Sequence, residues 1–352
     1  MLSINRKTRL LGAVVSLLAL SVAAAVFLLV LPAKNDSLDD SSELVIFSPH
    51  PVDMTEYIVR EFRQRTGIKV EVVTGGTGNL IAKLRNPTNT QKADLFWGGG
   101  IESLETITDL FQEYTSSEQG AIESDYISSH RLWSPFSVLP IVIIYNTKLV
   151  SRDFIPNSWS RLLDPYFRDH LLFANPVTTG SGFTSLVTIL QTMAEPGAPE
   201  GEGWPFVRRF MSQLGTVGLI ASSTAVYKSV SEGAFYAGVT FENSALSLKM
   251  AGKDIDFCYP TEGTSAVPDG IALLKDAPHP DEAKRFIDFV LGRDVQSILM
   301  SKWFRRSVRT DIPSYQTGLA DLNIIDYPIA ESAAKRTQIL SRWTQEYSRF
   351  HP

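Results

Sequence analysis

Short hydroxyl side chains and glycines recur where apolar runs stop. Ser48 ends Leu44-Val45-Ile46-Phe47, Gly75-Gly76-Thr77-Gly78 ends the run from Ile68 to Val73, and Gly98-Gly99-Gly100 ends Ala93-Asp94-Leu95-Phe96-Trp97. Thr178-Thr179-Gly180-Ser181-Gly182 follows Leu171-Leu172-Phe173-Ala174, and Ser222-Ser223-Thr224 precedes a helix-like stretch. Hydroxyls donate hydrogen bonds, and glycine lets backbone approach a ligand closely. Where such a segment opens a helix, its free N–H groups point at an anion. Converging on one cleft, Ser48, Gly76, Thr77, Gly98, Gly99, Thr179, Gly180, Ser181, Ser222, Ser223 and Thr224 are expected to form a neutral, donor-rich cradle for an anion. Taken singly, a Ser or Thr at a helix start is a cap and a Gly after a strand is a turn. The repetition carries the reading.

Other chemistries find less support. Neither Gly-rich segment continues as Gly-Lys-Ser/Thr, so no nucleotide P-loop is present. His50, His130, His170, His279 and His351 form no HExxH or other close metal spacing, and there is no GxSxG elbow. No catalytic residue, metal or cofactor is expected, and the chain reads as a non-enzyme; a hydrolase using Glu242 or His50 is the alternative from another class. His50, directly after a strand end, is the histidine expected near the cleft, with a structural role as its alternative. Glu242 follows the apolar run Ala237 to Phe241 in a similar place, where a carboxylate accepts from ligand hydroxyls, pairs with an ammonium, or simply caps a helix. Cys258, the single cysteine, excludes an intramolecular disulfide and reads as an inert buried thiol within Ile255-Asp256-Phe257-Cys258-Tyr259. Lys302, Arg305, Arg306 and Arg309 are expected on a solvated face, with a place at the cleft mouth as the alternative.

These residues need elements to hold them. Val52 to Thr66 carries Met54, Tyr57, Ile58 and Phe62 at helical spacing and stops at Gly67. Further helices are expected over Asn79 to Arg85, Phe183 to Met193, Trp204 to Leu214 and Ala225 to Glu232, and strands over Val138 to Tyr145 and Ala237 to Phe241. Strands alternating with helices imply βαβ units and a mainly parallel sheet in two α/β lobes. In such sheets the ligand lies outside the carboxyl ends of the strands.

The chain has 352 residues with a net charge of −5, and Leu10 to Leu31 contains no charged residue. Setting aside Arg6, Lys7 and Arg9 leaves 30 basic against 38 acidic residues, or −8. That balance gives no general field for nucleic acid. The apolar stretch is long enough to span a bilayer, and its basic flank places the bulk of the chain outside the cytoplasm. Residues 1–42 are therefore expected to be a signal peptide or an uncleaved anchor with a polar tether, and the body periplasmic or otherwise extracytoplasmic. A lipoprotein anchor is excluded because no cysteine lies there.

The order Phe47-Ser48-Pro49-His50, Gly75 to Gly78, Ala93 to Gly99, Thr179 to Gly182, Val226-Tyr227-Lys228, Phe241-Glu242 and Tyr259 to Gly270 resembles bacterial extracellular solute-binding proteins of ABC importers. Within them it is similar to the ferric-iron-transporter-like branch that includes hexose-phosphate and 2-aminoethylphosphonate receptors. The resemblance covers Leu44 to Trp343, and Glu262 to Gly270 is its most specific segment. It implies a periplasmic-binding-protein type II fold: two α/β lobes joined by crossover strands, with the ligand in the cleft between them. Lobe 1 would comprise residues 43–138 and 268–352 and lobe 2 residues 139–267. Iron-binding relatives carry adjacent tyrosines where this chain has Glu242-Asn243, so ferric iron becomes the alternative cargo. A hexose phosphate, or a phosphonate such as 2-aminoethylphosphonate, is the implied one, with Glu242 reading its hydroxyl or amino end. The implied partner is an inner-membrane ABC permease; the alternative is a sensor histidine kinase.

Overall fold

The computed structural model describes residues 43–350 apart from 87, 89, 196–202 and 315. The expected leader or anchor lies outside the described residues, among which no helix is long and apolar enough to cross a membrane. The strands are β1 (Glu43–Ser48), β2 (Lys69–Thr74), β3 (Leu95–Gly100), β4 (Phe111–Gln112), β5 (Ser134–Asn146) and β6 (Leu171–Ala174). They continue with β7 (Leu219–Ile220), β8 (Ala237–Phe241), β9 (Ile255–Cys258), β10 (Ala266–Leu274) and β11 (Arg306–Ser307). Their order is β2-β1-β3-β10-β5-β8-β6-β7, with β4 beside β10 and β9 and β11 beside β5.

The two wings of this sheet are parallel and its middle is not. β1 pairs in parallel with β2 and β3, and β6 with β7 and β8. Every pairing made by β5 or β10 is antiparallel, which corrects the expectation of a mainly parallel sheet. The reason is connectivity: βαβ units build each wing, but a chain that passes from one wing to the other and back must run both ways through the centre. β5 is the passing strand. Its first half, Ser134 to Pro140, pairs with β10, and its second half, Ile141 to Tyr145, with β8. Pro140 stands where the partner changes, a place where a missing N–H is tolerated. From Phe136 to Asn146 every residue of β5 is buried, as the near-continuous apolar run requires.

Helices cover both wings. Helix Val52–Thr66 buries Met54, Ile58 and Phe62, and Gly67, at φ 75°, ends it by donating its N–H to the Arg63 carbonyl. That face joins Leu44, Trp97, Phe136 and Phe286 in one core. A second core gathers Ile141, Trp159, Phe173, Trp204 and Phe210, together with Trp343 from the C-terminal helix Arg336–Phe350. A third places Phe183 and Val187 of helix Gly180–Thr192 against Phe47, Phe96 and Leu104.

Near that third core lies an isolated carboxyl. Glu102, in the short helix Ile101–Leu104, is fully buried. Thr184 Oγ1 donates to its Oε1 at 2.7 Å, and its Oε2 has no hydrogen-bond partner. Burial holds it above the ordinary value of 4.5, against the opposing pull of the Thr184 hydrogen bond and the Arg336 charge. A carboxyl whose folded value is raised contributes stability at low pH and loses it as pH rises through that value. Glu102→Gln is therefore expected to melt a few degrees above the parent at about pH 8, with the gain fading by about pH 4. Thermal melts at the two pH values check this; an equal gain at both contradicts it.

Candidate functional site

Strands β2, β6, β7 and β8 each lead into a helix whose first residues face one cavity of about 320 Å³. The helices are Thr77–Arg85, Gly180–Thr192, Ser223–Ser231 and Glu242–Met250. The cavity is lined by Gly75, Gly76 and Thr77; by Thr179, Gly180 and Ser181; by Ala221 to Thr224; and by Asn243 and Ser244. Four sets of first-turn N–H groups, each at the positive end of a helix dipole, thus share one space. Thr179 and Ser222 are also caps, accepting from Gly182 N at 3.2 Å and Ala225 N at 3.3 Å. Ser181 Oγ and Ser223 Oγ lie 2.5 Å apart and tie two helix starts together.

A polar cluster joins the same cavity: His50 just beyond β1, Asp269 in the first half of β10 and Arg305 just before β11. Asp269 is buried and accepts from Ser137 N at 2.9 Å and Ser137 Oγ at 2.8 Å, and it pairs with the Arg305 guanidinium. Arg305 Nε donates to Ser137 Oγ at 2.9 Å. His50 Nε2 lies 3.6 Å from Asp269 Oδ2. Burial, with the neighbouring Arg305 charge, holds His50 well below its usual range, so its ring is neutral at physiological pH. Burial raises Asp269, and its pairing with Arg305 opposes the shift. Tyr227 completes the wall, its phenol pushed up by burial.

The structure brings most of the expected residues together. His50, Gly76, Thr77, Gly99, Thr179, Gly180, Ser181, Ser222, Ser223 and Thr224 line the cavity; Ser48, Gly98 and Glu242 do not. Ser48 is fully buried and donates to the Trp97 carbonyl at 2.7 Å, locking β1 to β3. Gly98, at φ 119°, makes room for the His50 ring, since a Cβ there would sit 2.9 Å from Nε2. Glu242 is 1% exposed and engaged by protein: Arg306 Nε and Nη2 donate to its two oxygens at 2.7 Å each, and Tyr259 OH donates to Oε1. A carboxylate held bidentately this way has little left for a ligand. The solvated face expected for the basic cluster holds for Lys302, which is exposed, and is corrected for Arg305, Arg306 and Arg309, which are buried in ion pairs with Asp269, Glu242 and Glu118. Cys258 is half-buried, and burial pushes its thiol up to about 11, away from reactivity. Sequence reading missed Asp269, Tyr227 and Asn243 as cavity residues and gave Arg305 a place at the cleft mouth only as the alternative. Asp269 carried a signal, a carboxylate inside the otherwise apolar run of β10 that must find a cation.

Glycine sets how closely the cavity rims approach. A Cβ on Gly76 would stand 2.2 Å from the Thr178 carbonyl oxygen, and one on Gly180 would stand 2.7 Å from Thr77 Oγ1. The Gly75–Gly78 loop and the Val177–Gly180 loop therefore meet backbone to backbone.

A mixed sheet with two parallel wings, crossed by β5 and opening on one cavity, is the type II periplasmic-binding-protein fold. The chain belongs to the family of bacterial extracellular solute-binding proteins, whose pattern matches residues 92–321. As a member of that family it is an extracellular solute-binding protein and not an enzyme. Over 75% of its length, and 77% of the relative's, it is 25% identical to a Salmonella typhimurium periplasmic protein whose name points to 2-aminoethylphosphonate. It is 23% identical to the Fe(3+)-binding periplasmic protein of Serratia marcescens, over 81% of this chain and 83% of the relative. Its fold matches AfuA of Actinobacillus pleuropneumoniae, solved with exogenous fructose 6-phosphate, with a TM-score of 0.79, 22% identity, and coverage of 88% and 99%.

Two substitutions test the geometry. Gly76→Ala should hold the two rim loops apart, and X-ray scattering should show a wider cleft than in the parent; an unchanged scattering profile means that the Thr178 carbonyl gives way instead. Arg306→Ala should lower the unfolding free energy by about 3 kcal/mol, because Glu242 is left buried without its cation. Adding Glu242→Ala to it should restore part of that loss in denaturant titrations.

Proposed function

We propose that the protein captures a small organic phosphate, a hexose phosphate foremost and a phosphonate such as 2-aminoethylphosphonate next, and delivers it to an ABC permease. The observation that carries this is the meeting of four helix N-termini with Thr77, Thr179, Ser181 and Ser222 to Thr224 around one cavity. A chain of net charge −5 has no general attraction for an anion, so it must hold one with local dipoles and hydroxyls. Residues 43–138 with 268–352 act as one lobe and 139–267 as the other, and they close on the ligand about the point where β5 changes partners. Closure replaces the anion's hydration shell with backbone N–H groups and hydroxyls and presents a new surface to the permease. The segment Leu10 to Leu31 exports the body or tethers it to the membrane.

The donor set argues against ferric iron as cargo. A hard cation seeks several anionic oxygens, whereas this cavity offers mostly N–H donors and neutral hydroxyls. Its one lining carboxylate, Asp269, already pairs with Arg305. Tyr259 is committed to Glu242.

Titration calorimetry with glucose 6-phosphate, 2-aminoethylphosphonate, inorganic phosphate and ferric citrate tests the reading. Saturable binding of an organophosphate is expected; saturable iron binding with no organophosphate response sinks it. Ser223→Asp sharpens the test. A carboxylate in the first turn suits the helix dipole and should raise stability by about 0.3–1 kcal/mol, yet it should weaken organophosphate binding at least about tenfold by repulsion at close range. If the cargo is a cation, the same change leaves binding intact or strengthens it. Coupling to a sensor kinase instead of a permease would show as ligand-dependent kinase activity with no ligand uptake.

A further inference from the structure

The cavity wall hides one carboxyl that the capture described above does not use. Glu102 is fully buried, and a Cβ on Gly100, which lines the cavity, would collide with its Oε2. The carboxyl thus lies directly behind the wall. Its Oε1 is 2.7 Å from Thr184 Oγ1, and that hydroxyl is also 3.0 Å from the carbonyl of Gly180, another lining residue. One hydroxyl proton cannot fully serve two acceptors. Thr188 and Thr192 in the same helix each donate to the carbonyl four residues back, at 2.7 and 2.8 Å. Ser265 Oγ, 2.6 Å from Thr188 Oγ1, must therefore supply the hydrogen of that contact. Thr184 can follow the same pattern only when Glu102 is protonated and donates to it. An ionised Glu102 takes the Thr184 proton instead, and the Gly180 carbonyl loses it.

We propose that Glu102 is a proton switch behind the binding site: the protein takes up a proton at this carboxyl when it captures its anionic ligand, so capture weakens as the pH rises. This rests on the organophosphate reading above and adds the regulation of that same site. An ionised Glu102 sets a negative charge behind the wall that holds the anion, and in a buried site such repulsion is poorly screened. The neutral acid sets none. It also completes the hydrogen-bond chain to Gly180, at the start of a helix whose first N–H groups face the cavity. By linkage, a ligand that prefers the neutral form raises the proton affinity of the carboxyl. The groups around Glu102 leave it poised. Burial, an unpartnered Oε2 and the Asp269 charge favour the acid, whereas Thr184 and the Arg336 guanidinium favour the ion. Tyr327 is the other titratable group that feels it, and burial keeps that phenol protonated. Affinity is therefore highest below the ligand-free pKa of Glu102. It falls through the interval between the ligand-free and ligand-bound values and levels off above it.

The test is calorimetry on the full chain with glucose 6-phosphate, for the wild type and Glu102→Gln, at about pH 5 and about pH 8. The ratio of variant to wild-type affinity cancels the titration of the ligand's own phosphate. It should be about one at the lower pH and rise to about fivefold or more at the higher. Infrared spectra of the wild type give a readout that needs no variant. Titrated between those pH values, the carbonyl band of a protonated carboxyl should persist to higher pH with glucose 6-phosphate than without it, and Glu102→Gln should lose that difference. A merely structural role for Glu102 would change affinity by the same factor at both pH values. That outcome, or a wild-type carbonyl band that the ligand does not move, overturns this inference while the organophosphate reading stands. Failure of glucose 6-phosphate and 2-aminoethylphosphonate to bind the wild type at either pH overturns both.

Discussion

Everything at the cavity depends on the double use of β5. A helix N-terminus can face a shared cavity from each wing only if both wings hang from a common rail, and β5 is that rail: Ser134 to Pro140 belong to one wing and Ile141 to Tyr145 to the other. With both its faces buried, its register is set by packing and by the change of partner at Pro140, since sliding it by one residue would carry every side chain to the opposite core. β9 pairs with the second half of β5 and β10 with its first half, so the chain returns between them, and β10 brings Asp269 beside Ser137. The position of Asp269, the one carboxylate among the cavity's described lining residues, is therefore a result of strand pairing, at the point where the register of β10 shifts.

The second dependence is charge placement. Arg305 and Arg306 are adjacent in sequence, yet their side chains serve different carboxylates, Asp269 at the cavity and Glu242 behind it. Arg306 lies on β11, which pairs with Val138, and Glu242 opens the helix after β8, whose Phe241 pairs with Ile141. The Arg306–Glu242 pair thus brackets Pro140, where β5 changes partners. In the proposed trap any relative rotation of the wings must stretch a buried, bidentate ion pair. Such a pair favours two discrete arrangements over a continuum, because a partly separated charge pair has neither its partner nor water.

Much of this was legible in the sequence, for identifiable reasons. β6 and β8 have the bounds read from their apolar runs, and Met54, Ile58 and Phe62 are buried at the spacing that predicts their helix. Helix starts were less legible. Helix Thr77–Arg85 begins two residues before the expected Asn79, and helix Gly180–Thr192 begins three before Phe183. Gly78, Gly180 and Gly182 look like loop residues because glycine disfavours helix interiors, but in a first turn that cost is small and the close approach it permits is useful. The segments Gly75 to Gly78 and Thr178 to Gly182, expected in an anion cradle, thus reach further into their helices than the sequence suggests. The arginines were misread because a run of basic residues looks solvated; only long-range pairing, as between Arg306 and Glu242, shows otherwise. Glu242 was assigned a ligand for the same reason, since its true partner lies 64 residues away.

The glycine contact between the rims carries a last consequence. Because Gly76 meets the Thr178 carbonyl with no side chain between them, the rims can touch only when whatever lies inside fits within the cavity. In the proposed trap the two loops act as a caliper. A solute of the right length lets the jaws meet, while a longer one props them open and keeps that carbonyl in water, so size is measured at the rim by backbone contact as well as by the groups that line the cavity.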